Sequence, residues 1–179
     1  MKIDVIVNQP VVETDRLTLR PLRRSDSGLL EMYGSDERVA RMTPSIPHPL
    51  PPGAVDAMIQ RASEEDRQDD IWVMDASRNN RAELVGLISL ARMDREQSEI
   101  SYWVAPAFWN TGLAQEAVRG LLEANPLDNQ AIFASVFQDN PASARVLTNN
   151  GFAYLGDAEV YSVARGATVP TWTYLKKYR

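Results

Sequence analysis

The stretch Ser98-Glu99-Ile100-Ser101-Tyr102-Trp103-Val104-Ala105-Pro106-Ala107-Phe108-Trp109-Asn110-Thr111-Gly112-Leu113-Ala114-Gln115-Glu116-Ala117 carries the change of period that decides the fold. Alternation over Ser98–Val104 puts Glu99, Ser101 and Trp103 on one face of a strand, and Pro106 stops it. After Gly112, Leu113, Ala114, Ala117, Val118, Leu121 and Leu122 recur at helical spacing until Asn125-Pro126 ends the helix. An apolar strand follows at Ala131–Phe137. Asn140-Pro141 then opens another helix, with Asn as N-cap and Pro in the first turn, and Gly151 closes it.

A loop that feeds a helix N-terminus presents unpaired backbone N–H groups and the positive end of the helix dipole, which suits a phosphate. Gly112 and Ala114 keep bulk away from that backbone. Two familiar phosphate motifs are absent: no Gly-Lys-Ser/Thr follows the loop, and the three spaced glycines of a dinucleotide fold are missing.

Working outward, Arg16–Arg20 alternates as a strand, and Ser25 or Asp26 caps a helix to about Gly34. Residues 42–53 hold five prolines and read as a loop with defined bends. Ala54 to about Arg67 is an amphipathic helix, and Ile71–Ala76 and Leu84–Met93 are strands, the second apolar enough to be central. Gly86, inside that strand, marks a bulge or a close backbone approach. Strands at about Phe152–Asp157 and Thr171–Lys177 complete an α/β order in one domain over 1–179.

Composition narrows the function. The 179 residues are 44% hydrophobic and 24% charged, the make-up of an ordinary globular domain. A net charge of -5 gives no basic footprint, so nucleic acid is not the expected partner. There is no cysteine, which removes disulfides, thiolate zinc sites and a cysteine nucleophile; a single histidine, His48, rules out a multi-histidine metal site. No metal is expected. Met1–Gln9 lacks the pattern of a secretory signal and no run of about 18 apolar residues occurs, so the expectation is a cytoplasmic protein with no membrane partner.

The segment Val104–Ala117 resembles motif A of the GNAT acetyltransferases. Asn140-Pro141-Ala142-Ser143-Ala144-Arg145-Val146-Leu147 with Gly151-Phe152 resembles the helix and strand that follow it in that family. The opening Glu13-Thr14-Asp15-Arg16-Leu17-Thr18-Leu19-Arg20-Pro21 is similar to the branch that acetylates N-terminal amines of ribosomal proteins. The likeness runs from about residue 12 to 178, with three motifs in the family's order.

This resemblance implies a mixed, mostly antiparallel sheet of about six to seven strands with helices on both faces. It implies acetyl-CoA as co-substrate and an amine acceptor, with a homodimer left open. The pantetheine arm is expected in a cleft where Ser98–Val104 and Ala131–Phe137 splay apart, pairing with backbone near Trp103 and Val104. The pyrophosphate is expected on the amides of Trp109, Asn110, Thr111, Gly112, Leu113 and Ala114. The family usually has Gln or Arg where Trp109 stands, and often a basic residue or Gly at Asn110 and Thr111. The loop thus lacks a cation of its own, and Arg119 or Arg145 are the helpers.

By the same resemblance, Asn140 hydrogen-bonds the pantetheine arm, Ser143 protonates the departing thiolate, and Glu99 is the general base. Each has a plainer counterpart: an N-cap, a solvated first-turn hydroxyl and a strand carboxylate. Glu159, Tyr161 and His48 are rival site residues, and Tyr102, Trp103, Phe108 and Trp109 read as core or cleft wall. The implied reaction is direct attack of a primary amine, best an N-terminal α-amine, in a ternary complex. A small-molecule amine acceptor and a non-catalytic acyl-CoA-binding domain are the alternatives.

Overall fold

The computed structural model describes residues 9–178, so that nearly all of Met1–Gln9 lies outside the described residues. The strands are β1 (Val12–Glu13), β2 (Thr18–Pro21), β3 (Asp69–Asp75), β4 (Gly86–Met93), β5 (Gln97–Val104), β6 (Ala131–Phe137), β7 (Ala153–Ser162) and β8 (Ala167–Lys177). The helices are α1 (Ser27–Gly34), α2 (Glu37–Ala40), α3 (Ala54–Ala62), α4 (Leu113–Ala124) and α5 (Pro141–Asn149). The strands form one sheet ordered β1-β2-β3-β4-β5-β6-β8-β7, antiparallel throughout except between β5 and β6.

Period-two burial divides the sheet into two faces. Trp72, Met74, Ile88, Ile100, Ile132 and Ala134 join Leu113, Ala117, Val118 and Leu121 of α4 and Leu147 of α5 in one core. Val73 and Leu87 join Leu30 of α1 and Val55 and Ile59 of α3 in another. Helices therefore cover both faces. Large aliphatic side chains buried in this way stabilise the fold by roughly 1.5–3 kcal/mol each.

The eighth strand is the two-residue β1, too short for its alternation to register in the sequence. α3 ends at Ala62 rather than near Arg67. The Ser63 hydroxyl donates to the Gln60 carbonyl at 2.8 Å, and Arg67 turns back to donate to the Glu64 carbonyl and to Asp70. Asp26 makes no side-chain cap on α1, because Arg20 and the Arg23 amide hold its carboxylate. The last two strands are longer than their sequence signal, and β8 pairs with β6 only from Thr171 onward. Beyond that point the β7–β8 hairpin runs past the sheet with weak apolar patterning, so the sequence signal there is faint.

Candidate functional site

The parallel pair β5–β6 lasts three residues, Gln97↔Ala131 to Glu99↔Phe133, and then the strands diverge. β4 continues to pair with β5 up to Val104, and β8 with β6 up to Phe137, so the sheet opens only between these two strands. The Ala105 amide donates to the Val85 carbonyl at 2.8 Å, which fixes the antiparallel alternation. Odd-numbered residues of β5 thus bond to β4, and Ile100, Tyr102 and Val104 turn their backbone groups toward the gap. Trp103, expected to offer backbone here, faces β4 instead. Val104 fits the expectation in part, since its carbonyl accepts from the Trp109 indole Nε1 at 2.6 Å.

β4 comes unusually close behind this point. A Cβ on Gly86 would lie 2.3 Å from the Trp103 carbonyl oxygen, so the glycine is there for backbone approach.

Two cavities open on the gap, of about 740 Å³ and about 410 Å³. Both are lined by Met42, Tyr102, Trp103, Asn140 and Ser143, where they meet. The smaller one takes in Val104, Trp109, Asn110, Thr111, Gly112, Leu113, Ala114 and Arg145. The larger one runs across the other face, beneath α3 and the proline-rich loop.

The loop entering α4 turns through left-handed backbone at Asn110 (φ 62°) and Gly112 (φ 79°). The first helical bond joins the Glu116 amide to the Gly112 carbonyl at 3.1 Å, which leaves the amides of Leu113, Ala114 and Gln115 without a helical partner. These donors and the helix dipole fit a diphosphate. Gly112 serves this turn by its conformation. A Cβ there would lie 3.4 Å from Arg16 Nη2, at van der Waals contact.

Arg119 and Arg145 are the expected cations for this loop; the guanidinium that contacts it is Arg16, from the approach to β2. Arg16 Nε donates to Glu116 Oε1 at 2.7 Å and its Nη1 to the Thr111 carbonyl at 2.9 Å. Glu116 also accepts from the Thr14 hydroxyl at 2.5 Å and the Arg16 amide at 2.7 Å, and together these bonds hold its carboxyl below the ordinary range despite partial burial. Arg145 lines the smaller cavity with an exposed side chain; Arg119 lines neither cavity.

Asn140 departs from its expected local role. It precedes α5 but makes no side-chain cap; only its carbonyl accepts, from the Ser143 amide at 3.2 Å. Its amide side chain is thereby left for the cleft, whose two cavities it lines.

Ser143 lies at the junction as well. Its hydroxyl donates to the Tyr102 phenol oxygen at 3.0 Å, and that phenol donates to the Ser143 carbonyl at 2.8 Å. Burial pushes the Tyr102 phenol above its usual value, with the Ser143 contact opposing the shift. Tyr102 is the site residue that sequence reading left as wall; its only signal was its place opposite Glu99, Ser101 and Trp103 in the alternation.

Glu99 lies on the face of the larger cavity. Burial raises its carboxyl, opposed by a hydrogen bond from the Ser135 hydroxyl. Ser135 lines that cavity with Ser89 and Ser101, whereas Glu99 itself does not. His48 is exposed, and neither it nor Glu159 or Tyr161 on the outer hairpin lines either cavity. Among the described residues, no group of three His, Cys, Asp or Glu is placed to hold a metal, and no helix is long and apolar enough to cross a membrane.

Comparison with known proteins matches residues 16–153 to the model of the acetyltransferase (GNAT) domain. An uncharacterised N-acetyltransferase of Bacillus subtilis (strain 168), YoaA, is 30% identical over 177 residues, covering 92% of this chain and 95% of its own. Among solved structures, the ribosomal-protein-S5-alanine acetyltransferase from Vibrio fischeri has TM-score 0.76 at 19% identity, covering 94% of this chain and 97% of that one. The spermidine N-acetyltransferase from Vibrio cholerae, in complex with CoA and spermine, has TM-score 0.77 at 17% identity, covering 90% and 95%. At such identities these structures share the fold and do not distinguish one acceptor from another.

Proposed function

The chain belongs to the GNAT acetyltransferase family, and within that family we propose that it acetylates the N-terminal α-amine of a peptide or protein. Transfer from acetyl-CoA to an amine is the family's chemistry; the choice of amine is inferred from the larger cavity. Its inner walls are largely apolar, with Leu50, Met58, Leu87 and Trp103, and its floor carries the hydroxyls of Ser89, Ser101 and Ser135. The acids at its outer end, Glu64, Asp66 and Asp69, are interleaved with Arg61 and Arg67. A polycation would gain from an unbroken negative wall; a peptide end, with one amine and uncharged amides beside it, suits hydroxyls and apolar walls better.

The acid–base chemistry supports the same choice. An α-amine has a pKa near 8 and a lysine amine near 10.4, so the first offers far more free base at neutral pH. In the proposed transfer the amine nitrogen attacks the thioester carbonyl, a C–N bond forms and the C–S bond breaks. Glu99, through Ser135 or water, takes the amine proton, and the Ser143 hydroxyl turns from the Tyr102 oxygen to donate to the departing sulfur. The proton taken from the amine passes from Glu99 through water to that sulfur, giving the free thiol and restoring the carboxylate. Tyr102 is a poor source of it, because a phenol raised above about 10 holds its proton more tightly than a thiol near 8.5. The proposed transfer is direct, within a ternary complex, since no cysteine is present to carry the acetyl group.

The test is mass mapping of a peptide bearing both a free α-amine and a lysine, with spermidine assayed beside it. Acetyl on the α-amine is expected. Label on the lysine alone, or turnover of spermidine only, overturns the reading, and cofactor binding with no turnover of any amine indicates a binding domain.

A further inference from the structure

Between two segments that line the larger cavity, one guanidinium joins three separate parts of the chain. Arg165 lies in the turn between β7 and β8. Its Nη1 and Nη2 grip both carboxylate oxygens of Asp139, at 2.6 and 3.1 Å. Its Nε and Nη2 donate to the Arg41 carbonyl at 3.2 and 2.8 Å. The same guanidinium sits 4.7 Å from the centre of the Phe137 ring. Beside it the Val163 amide donates to the Pro44 carbonyl at 3.1 Å. Arg165 is only 12% exposed although it sits in a turn, and the ion pair holds the Asp139 carboxyl below its usual range.

The segments it joins are the two sides of the acceptor cavity. Arg41 and Pro44 begin the proline-rich wall, which lines the cavity through Met42, Thr43, Ile46 and Leu50. Phe137 and Asp139 end β6 and lead into Asn140, and both Phe137 and Asn140 line the opposite side. The proline-rich segment has no helix or strand to hold it, so its position depends on such tethers.

We propose that Arg165 is a positioning residue for the acceptor: it pins the proline-rich wall to the end of β6 and so sets the width of the cavity in which the amine binds. It rests on the larger cavity being the acceptor site. None of the clasp's hydrogen bonds reaches the loop at Trp109–Ala114, although Met42 and Asn140 border both cavities. Acetyl-CoA affinity should therefore change less than acceptor affinity. A lysine cannot replace the fork, because a single ammonium does not span a carboxylate and a carbonyl in one plane.

The test compares wild type, Arg165→Ala and Asp139→Asn. Hydrogen exchange across residues 42–50 should speed up in Arg165→Ala. The acceptor KM should rise roughly tenfold, with acetyl-CoA Kd held within about twofold, because lost charge-assisted bonds act on one substrate only. In the double variant the KM effects should fall short of additive, since both residues belong to one clasp. Unchanged exchange, an unchanged KM, or a parallel rise in acetyl-CoA Kd overturns the proposal. If Arg165→Ala fails to fold, the near-isosteric Asp139→Asn carries the same comparison. If the wild type acetylates no amine, the functional reading fails by itself, and exchange across residues 42–50 still decides whether the clasp exists.

Discussion

Arg16 Nη1 donates to the carbonyl of Thr111 at 2.9 Å, across a sequence separation of 95 residues. The cation that steadies the loop before α4 thus comes from the approach to β2, binding the Thr111 carbonyl while its Nε holds Glu116. Arg16→Ala should raise acetyl-CoA Kd by roughly fivefold to tenfold, the loss of one or two charge-assisted bonds. Arg16→Lys should recover little, because one ammonium cannot meet Glu116 and Thr111 together. Isothermal titration with coenzyme A decides it, and an unchanged Kd in Arg16→Ala means that the loop keeps its shape unaided.

Gly112 is required by its φ of 79°, not by crowding, since a Cβ there would meet only Arg16 Nη2 at 3.4 Å. Placing an L side chain there costs about 1–2 kcal/mol, more if β-branched, whereas Asn tolerates this backbone. Gly112→Val should lower Tm and reduce the stabilisation that coenzyme A confers, while Gly112→Asn should keep most of both. Thermal-shift titrations of the two variants test this. Full cofactor stabilisation in Gly112→Val would remove the loop from the binding site.

Ser143→Ala should reduce kcat by roughly tenfold with acetyl-CoA Kd changed much less, since a bond to the departing sulfur strengthens only as charge develops there. Tyr102→Phe, which strips the hydroxyl paired with Ser143 and keeps the ring, should act through the serine alone. It should add little in the Ser143→Ala background, where only the phenol's bond to the residue-143 carbonyl remains to be lost. A full additional loss there would show that Tyr102 has a part of its own in catalysis.

Glu99 gives a pH dependence with a defined sign. Burial raises its carboxyl above the ordinary value, so between the unfolded and folded pKa the native state holds the extra proton. Stability from this group therefore falls as pH rises through that window, and Glu99→Gln should remove the fall. As a general base Glu99 works only once ionised, so kcat/KM should show, below the limb set by the α-amine near pH 8, a second acid limb above the usual carboxylate range that disappears in Glu99→Gln. Urea unfolding and rate profiles across pH 4 to 8 measure both; a second limb that survives the substitution assigns the base elsewhere.

Much of the fold is written in local pattern. The period-two alternation of Ser98–Val104 and the helical spacing from Leu113 to Leu122 each mark the face that leaves water, and those faces are the ones buried in the core. The glycine at the loop–helix junction and the opening of a helix at Asn140-Pro141 are equally local, which is why the smaller cavity contains the loop read from the chain. The order of these motifs is that of the GNAT family, to which the chain belongs.

Other features depend on which distant segments the folded sheet brings side by side. Nothing near Asn140 announces that its side chain leaves the cap to the backbone, or that Tyr102 meets Ser143 from 41 residues away. Arg165 reaches Arg41 across 124 residues, and Arg16 reaches Thr111 across 95. Periodicity records how much water each side chain loses, a property of its own element. A hydrogen-bond partner is fixed by distance and angle, within a few tenths of an ångström, and only the packed sheet sets these.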